Sequence, residues 1–285
     1  MYLNRNRGLY SYMGFGVLIL LAVIQGLTEF LPVSSSGHLV LLYNFFGIEN
    51  NVKLLSILLH IATLLSVLIY YRKEIIILVR HPFCPTNRKL LVTTIVTCIV
   101  VLIFKPFIDN AFSGEWIFVF FIITAVMLFV SDYLAERNTF LSRTSNFKQS
   151  KTRLIDPQSI INIGVSYKQA IVIGLTQGIA CIPGISRSGS TIAVSRMCGV
   201  EDSARYSFLI SIPIIVASFV MEIFEGGTET FNINIPSLIL AMVICFVIGL
   251  ICIKVMTRLV SNNKMTWFAY YLIALATTLV IISFA

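Results

Sequence analysis

The feature that most constrains this chain is the length of its apolar runs. Six segments, about 54–72, 90–107, 115–134, 204–224, 236–257 and 267–284, carry almost no charge in their interiors and read as full membrane spans. At ~1.5 Å rise per residue each is long enough for a ~30 Å hydrocarbon core. Charged residues make up only 12% of the 285 and hydrophobic ones 57%, where a soluble domain carries about twice that charge fraction. Helices satisfy their own backbone groups in lipid, so the expected fold class is an all-α integral membrane protein. The first apolar run continues into serines without a plain small-residue cleavage site, so a cleaved signal peptide is not expected.

Two further regions, about 15–48 and 167–199, are apolar but broken by Pro, Gly and Ser. Each reads as two half-helices around a polar loop, a re-entrant hairpin. Such a loop survives at membrane depth only where protein buries it or water reaches it. The chain also repeats at an offset of 152 residues: Gln25 and Gly26 match Gln177 and Gly178, and Ser34, Ser36 and Gly37 match Ser186, Ser188 and Gly189. The spans keep the same offset. The expected organisation is a first repeat at 1–134, a solvated linker at 135–166 and a second repeat at 167–285. Each repeat has three spans, an odd number, so the second enters the membrane inverted.

Loop charge sets the direction. Arg72, Lys73, Arg80, Arg88 and Lys89 lie in 72–89; Arg137, Arg143, Lys148, Lys151, Arg153 and Lys168 lie in 135–168; Arg258 and Lys264 lie in the last connection. All three stretches fall on one side, read as cytoplasmic, and Glu222, Glu225 and Glu229 fall on the other. Both termini are then outside, with Arg5 and Arg7 as the contrary signal. The net charge of +8 reflects this bias rather than nucleic-acid binding. Residues before about Tyr12 are assigned nothing. Cys84, Cys98, Cys181, Cys198, Cys245 and Cys252 form no CxxC and read as small buried hydrophobes.

The polar loops carry the chemistry. In QGLTEFLPVSSSGH, Gln25 and Glu29 are four apart and share a helix face. Pro32 closes the first half-helix, and Ser34, Ser35 and Ser36 can cap the next. In IPGISRSGST, Pro183 and Gly184 break the chain, and Ser186 to Ser190 can cap a helix starting near Thr191. Two helix N-termini facing each other make an anion site, to which Arg187 adds a fork suited to phosphate oxygens. Glu29 and His38 add acid–base chemistry or metal ligation. Each feature has a plainer reading alone: serines cap helices, a Glu can snorkel, a histidine can pack. The combination carries the argument, because Lys105, Glu115, Asp132, Glu222 and Lys254 all sit near span ends. His60, inside the first span, is open between packing and site roles. His81, beside Pro82, is expected at the surface.

At these residues the chain resembles the undecaprenyl-diphosphatase, or bacitracin-resistance protein, family of bacterial membranes. QGLTE at 25–29, SSSGH at 34–38 and PGISRSGST at 183–191 carry the resemblance, which covers nearly the whole chain. It implies interlocked inverted repeats with two re-entrant hairpins. It places catalytic roles on Glu29, Ser35, His38 and Arg187, and supporting phosphate contacts on Ser34, Ser186, Ser188 and Thr191, with Gln25, Ser36 and Gly189 beside them. It also implies a divalent cation, Mg²⁺ or Ca²⁺, with Glu29 as ligand. Gln25 stands where the family often has a second Glu, so one carboxylate is left for that metal.

The expected activity is hydrolysis of a polyprenyl diphosphate to the monophosphate and phosphate, recycling a lipid carrier for cell-wall synthesis. Ser35 is the expected nucleophile, and His38 its base or the acid to the leaving group. Glu29 would hold the metal or orient His38. The expected setting is the bacterial plasma membrane with an outward-facing site, the prenyl lipid and the bilayer as partners, and a homodimer as a candidate assembly. A secondary transporter or anion carrier would use the same inverted repeats without the Ser–His–Glu set. A scaffold protein would explain the spans but not the matched polar loops.

Overall fold

The structure is a computed structural model that describes residues 14–48, 52–143, 157–225, 234–261 and 264–284. Arg5, Arg7, Tyr12, Lys148, Lys151, Arg153 and Glu229 lie outside the described residues, as do the side chains of Arg137, Arg143, Glu222 and Glu225. Among the described residues the chain is helical without a strand: α1 Phe15–Thr28, α2 Ser35–Phe46, α3 Val52–Tyr70, α4 Arg72–Arg80, α5 Pro85–Ala111, α6 Ile117–Arg143, α7 Pro157–Ile161, α8 Tyr167–Ile179, α9 Arg187–Met197, α10 Ser203–Glu225, α11 Ile235–Ser261 and α12 Thr266–Phe284.

Five of these, α5, α6, α10, α11 and α12, are long and apolar enough to cross a membrane, and α3 with the bent α4 makes a sixth. Their outer faces fit lipid. Leu91, Ile95, Ile99, Leu102 and Ile103 of α5 are all exposed, an apolar surface larger than a water-facing domain normally shows. The chain is a multi-pass membrane protein.

Two stretches depart from the sequence reading. The basic stretch 72–89 contains a helix, not only a loop: α4 turns 76° away from α3 at Tyr71 and buries Glu74 and Leu78 while exposing Arg72, Lys73 and Arg80. The presumed solvated linker is helical to Arg143 and packed again from α7. There Ile160 is 1% exposed, and the Thr86 hydroxyl meets the Ile160 and Ile161 carbonyls at 2.9 Å each. Asp132, near the end of its span, is a buried staple. It pairs with Arg196 at 2.6 Å and accepts the Met265 and Thr266 N–H groups at 2.8 Å each and the Thr266 hydroxyl at 2.7 Å. It thereby ties α6, α9 and the start of α12. Arg196 was not singled out in the sequence, although an arginine among apolar half-helices is the signal that marks it.

The helix starts recur along the chain: 15 and 167, 35 and 187, 52 and 203, 85 and 235, 117 and 266. Packing crosses between the halves. Helix α1 lies along α11, and α8 along α5. Small residues allow the close approach: a Cβ on Gly26 would sit 2.8 Å from the Cys245 carbonyl oxygen, and one on Gly174 2.8 Å from that of Thr93. Thr93 and Thr97 add hydroxyl bonds to the Ala170 and Gly174 carbonyls at 3.1 Å each.

Gly184 at the second loop has φ +98°, and a Cβ there would lie 2.7 Å from the Phe120 Cβ, whereas Gly47 has φ +63° in open space. Gly184→Ala is expected to destabilise the protein by roughly 2–4 kcal/mol and Gly47→Ala by about 1 kcal/mol. Unfolding of both variants in detergent checks the order.

Candidate active site

The first polar loop begins where α1 ends. Glu29 caps that helix, its N–H bonded to the Gln25 carbonyl at 3.0 Å, and the Gln25 amide donates to Glu29 Oε2 at 2.9 Å. A turn through Pro32 leads to Ser34, whose φ of 67° makes it the one non-glycine residue with positive φ among the described residues. That conformation is uncommon for a side-chain-bearing residue. It is held by two bonds, because Ser34 Oγ accepts the N–H of Gly37 at 3.3 Å, which caps α2, and the N–H of Gly184 at 3.1 Å, from the other loop.

The second loop ends differently from its sequence reading. Helix α9 starts at Arg187, not near Thr191, because Ser186 is the cap: its Oγ accepts the Gly189 N–H at 3.1 Å. The Ser186 N–H in turn donates to Thr124 Oγ1 at 3.0 Å. Ser35 and Arg187 therefore each open a half-helix.

The two loops meet. A Cβ on Gly37 would lie 3.0 Å from the Gly184 Cα, and one on Gly189 would lie 2.9 Å from the Pro32 Cβ. Ser188 Oγ donates to the Leu31 carbonyl at 3.1 Å. Glu29 is the common centre. The Arg187 guanidinium pairs with Glu29 Oε1, and Ser35 Oγ donates to Oε2 at 2.6 Å. The Glu29 side chain is 3% exposed and that of Arg187 19%. Beside them lies a narrow cleft lined by Glu29, Phe30, Arg187, Ser188, Ser207, Phe208 and Ser211.

Not every expected residue joins this centre. His38 Nδ1 lies 2.8 Å from the Ser34 carbonyl oxygen and its Nε2 2.7 Å from the Tyr271 hydroxyl, with the two rings stacked. It hydrogen-bonds neither Ser35 nor Glu29. The histidine that reaches the carboxylate is His60, whose Nε2 is 3.4 Å from Glu29 Oε2 and whose Nδ1 is 2.6 Å from the Ser56 carbonyl oxygen. An ionisable group inside a span was its available signal. Nothing in the sequence pointed to Tyr271 or to Ser207. Ser36 Oγ lies 3.5 Å from Ser34 Oγ, and the Thr191 hydroxyl bonds the Arg187 carbonyl at 2.8 Å and pairs with Ser207.

The donor set does not make a protein-held metal centre. No group of three His, Cys, Asp or Glu residues is arranged for a metal among the described residues, and Glu29 is already engaged by Arg187, Ser35 and Gln25. The six cysteines are free.

Residues 18–278 match the family model described as bacitracin resistance protein BacA. A protein of Carboxydothermus hydrogenoformans named undecaprenyl-diphosphatase is 35% identical over 273 residues, which cover 94% of this chain and 97% of that protein. One of Treponema denticola with the same name is 36% identical over 273 residues, 90% of this chain and 93% of its own. A third, of Thermosipho africanus, is 35% identical over 268 residues, 90% and 96% of the two chains. The matched region contains both polar loops and all the spans but the end of α12, and the chain belongs to the bacitracin resistance protein BacA family.

Proposed function

We propose that this chain is a membrane phosphatase that hydrolyses undecaprenyl diphosphate, or a close polyprenyl diphosphate, to the monophosphate and phosphate. The observation that carries the reading is the meeting of the Ser35 hydroxyl and the Arg187 guanidinium on one buried carboxylate, Glu29, where two capped helix N-termini converge. The names of the relatives support the substrate. Recycling of the lipid carrier and resistance to bacitracin follow from that activity.

In this reading the diphosphate enters the cleft, and Arg187 and the half-helix N–H groups take its oxygens. Arg187 turns from Glu29 toward phosphate, so substrate binding and release of the carboxylate are one event. Ser35 Oγ attacks the terminal phosphorus, and its proton passes to Glu29, which already accepts it. The P–O bond to the lipid monophosphate breaks, and the lipid leaves with that oxygen. Water then attacks the phosphoserine, releasing phosphate and restoring the hydroxyl. Charge neutralisation and positioning are most of what phosphoryl transfer requires. We assign His38 to the leaving group rather than to Ser35, because Glu29 holds Ser35 and Tyr271 holds His38. A divalent Mg²⁺ or Ca²⁺ would be held jointly with the diphosphate's own oxygens, as Mg²⁺ commonly is. The steps above use the chain's own groups.

The architecture we infer is two inverted-topology repeats, 1–134 and 167–285, each a re-entrant hairpin with three spans. The recurring helix starts and the odd number of spans per half support it. The exposed Arg72, Lys73, Arg80 and Arg88 support a cytoplasmic face at α4 and the start of α5. Termini and site then face outward in a bacterial plasma membrane.

Purified protein in detergent is expected to release phosphate from a prenyl diphosphate. Ser35→Ala, Glu29→Ala and Arg187→Ala should each lose at least about a hundredfold in turnover. Near-wild-type turnover in any one removes that residue from the mechanism. Counterflow of labelled phosphate into liposomes, with no hydrolysis, would favour a carrier instead. Arg187→Ala also takes the guanidinium away from a buried carboxylate, which should cost roughly 3–5 kcal/mol in unfolding experiments. Adding Glu29→Gln to Arg187→Ala should recover part of that loss.

A further inference from the structure

His60 comes from span α3, outside both polar loops, and its surroundings are specific. The Ser56 carbonyl oxygen can only accept, so the His60 Nδ1 at 2.6 Å from it carries a hydrogen. That bond fixes the ring and turns Nε2 toward Glu29 Oε2 at 3.4 Å. The Ser56 hydroxyl is itself held 2.9 Å from the Tyr43 hydroxyl of α2. Glu29 Oε2 is also the oxygen that accepts Ser35 at 2.6 Å and Gln25 at 2.9 Å. Three helices thus converge on one oxygen: α1 through Gln25, α2 through Ser35 and α3 through His60. The other oxygen faces Arg187. His60 is absent from the lining of the cleft beside Glu29 and Arg187.

We propose that His60 is a positioning residue for this reaction: braced by the Ser56 carbonyl, it holds Glu29 Oε2 in line to receive the proton of Ser35. The proposal rests on the phosphatase reading above. The ring is held by the Ser56 carbonyl on one side and sets Nε2 against Glu29 Oε2 on the other. A glutamine amide at this position can make the second contact, and a leucine of similar bulk cannot. Because His60 lies off the cleft, its loss falls on turnover and not on substrate capture.

The experiment is steady-state phosphate release from a detergent-dispersed prenyl diphosphate by the wild type, His60→Leu, His60→Gln, Ser35→Ala and Ser35→Ala/His60→Leu. Melting in detergent is measured on the same samples. We expect His60→Leu to lower kcat by about tenfold or more with KM within about twofold, since an aligned base contributes roughly 10²–10⁴. His60→Gln should recover at least about a third of the wild-type kcat. In the Ser35→Ala background His60→Leu should cost nothing further, because groups that act as one unit are not additive. Wild-type kcat in His60→Leu overturns the proposal. So does a loss carried by KM, or a His60→Gln as slow as His60→Leu with an unchanged melting point. No phosphate release by the wild type sinks the phosphatase reading itself, which is a separate result.

Discussion

The structure depends on one buried carboxylate. Glu29 sits in the middle of an apolar protein with almost no access to solvent. An ion moved out of water costs several kcal/mol even after relaxation, so it needs close partners. Here the partners come from four helices: Gln25 at the end of α1, Ser35 opening α2, His60 in α3 and Arg187 opening α9. Helices that would otherwise pack in several ways are held in one arrangement by that requirement. The electrostatic need of one side chain and the convergence of two broken hairpins are the same fact.

The repeat makes the site more informative still. At the offset of 152 residues, Ser35 corresponds to Arg187, Glu29 to Cys181, His38 to Ser190 and His60 to Ile212. One half contributes the hydroxyl and the carboxylate, and the other contributes the cation. Two similar half-helix starts carry a hydroxyl at one and a guanidinium at the other through one residue each. The divergence leaves a trace in the hydrogen bonds. Ser34 takes the N–H of Gly184, but the corresponding bond from Pro32 to Ser186 cannot exist, because proline has no N–H. Ser190 Oγ, in the place of His38, is buried without a hydrogen-bond partner.

Much of this was legible in the residues. The spans showed because lipid demands long apolar helices, and the loops showed because polarity inside such runs is rare. The meeting of Arg187 with Glu29 was readable from matched loops with complementary charge. His38 was read either as base to Ser35 or as acid to the leaving group, because Gly-His follows the serines directly. Helix α2 instead carries the imidazole round to Tyr271, a residue whose approach no local pattern encodes. His60 stayed ambiguous for the converse reason: its partner is thirty-one residues away and contributed by another helix. The turn into α4 escaped because nine residues with three basic ones resemble a charged loop until packing selects Glu74 and Leu78 as the inner face.

The crossed packing of α1 on α11 has a consequence for biosynthesis. Helix α1 is translated long before the surface that seats it, which belongs to residues 235–261. The N–H that completes the Ser34 contact arrives only with Gly184. The first hairpin therefore waits, unseated at the edge of the bilayer, while most of the polypeptide is translated. Insertion of this protein cannot be a simple succession of finished helices; its first hairpin is among the last elements to find its place.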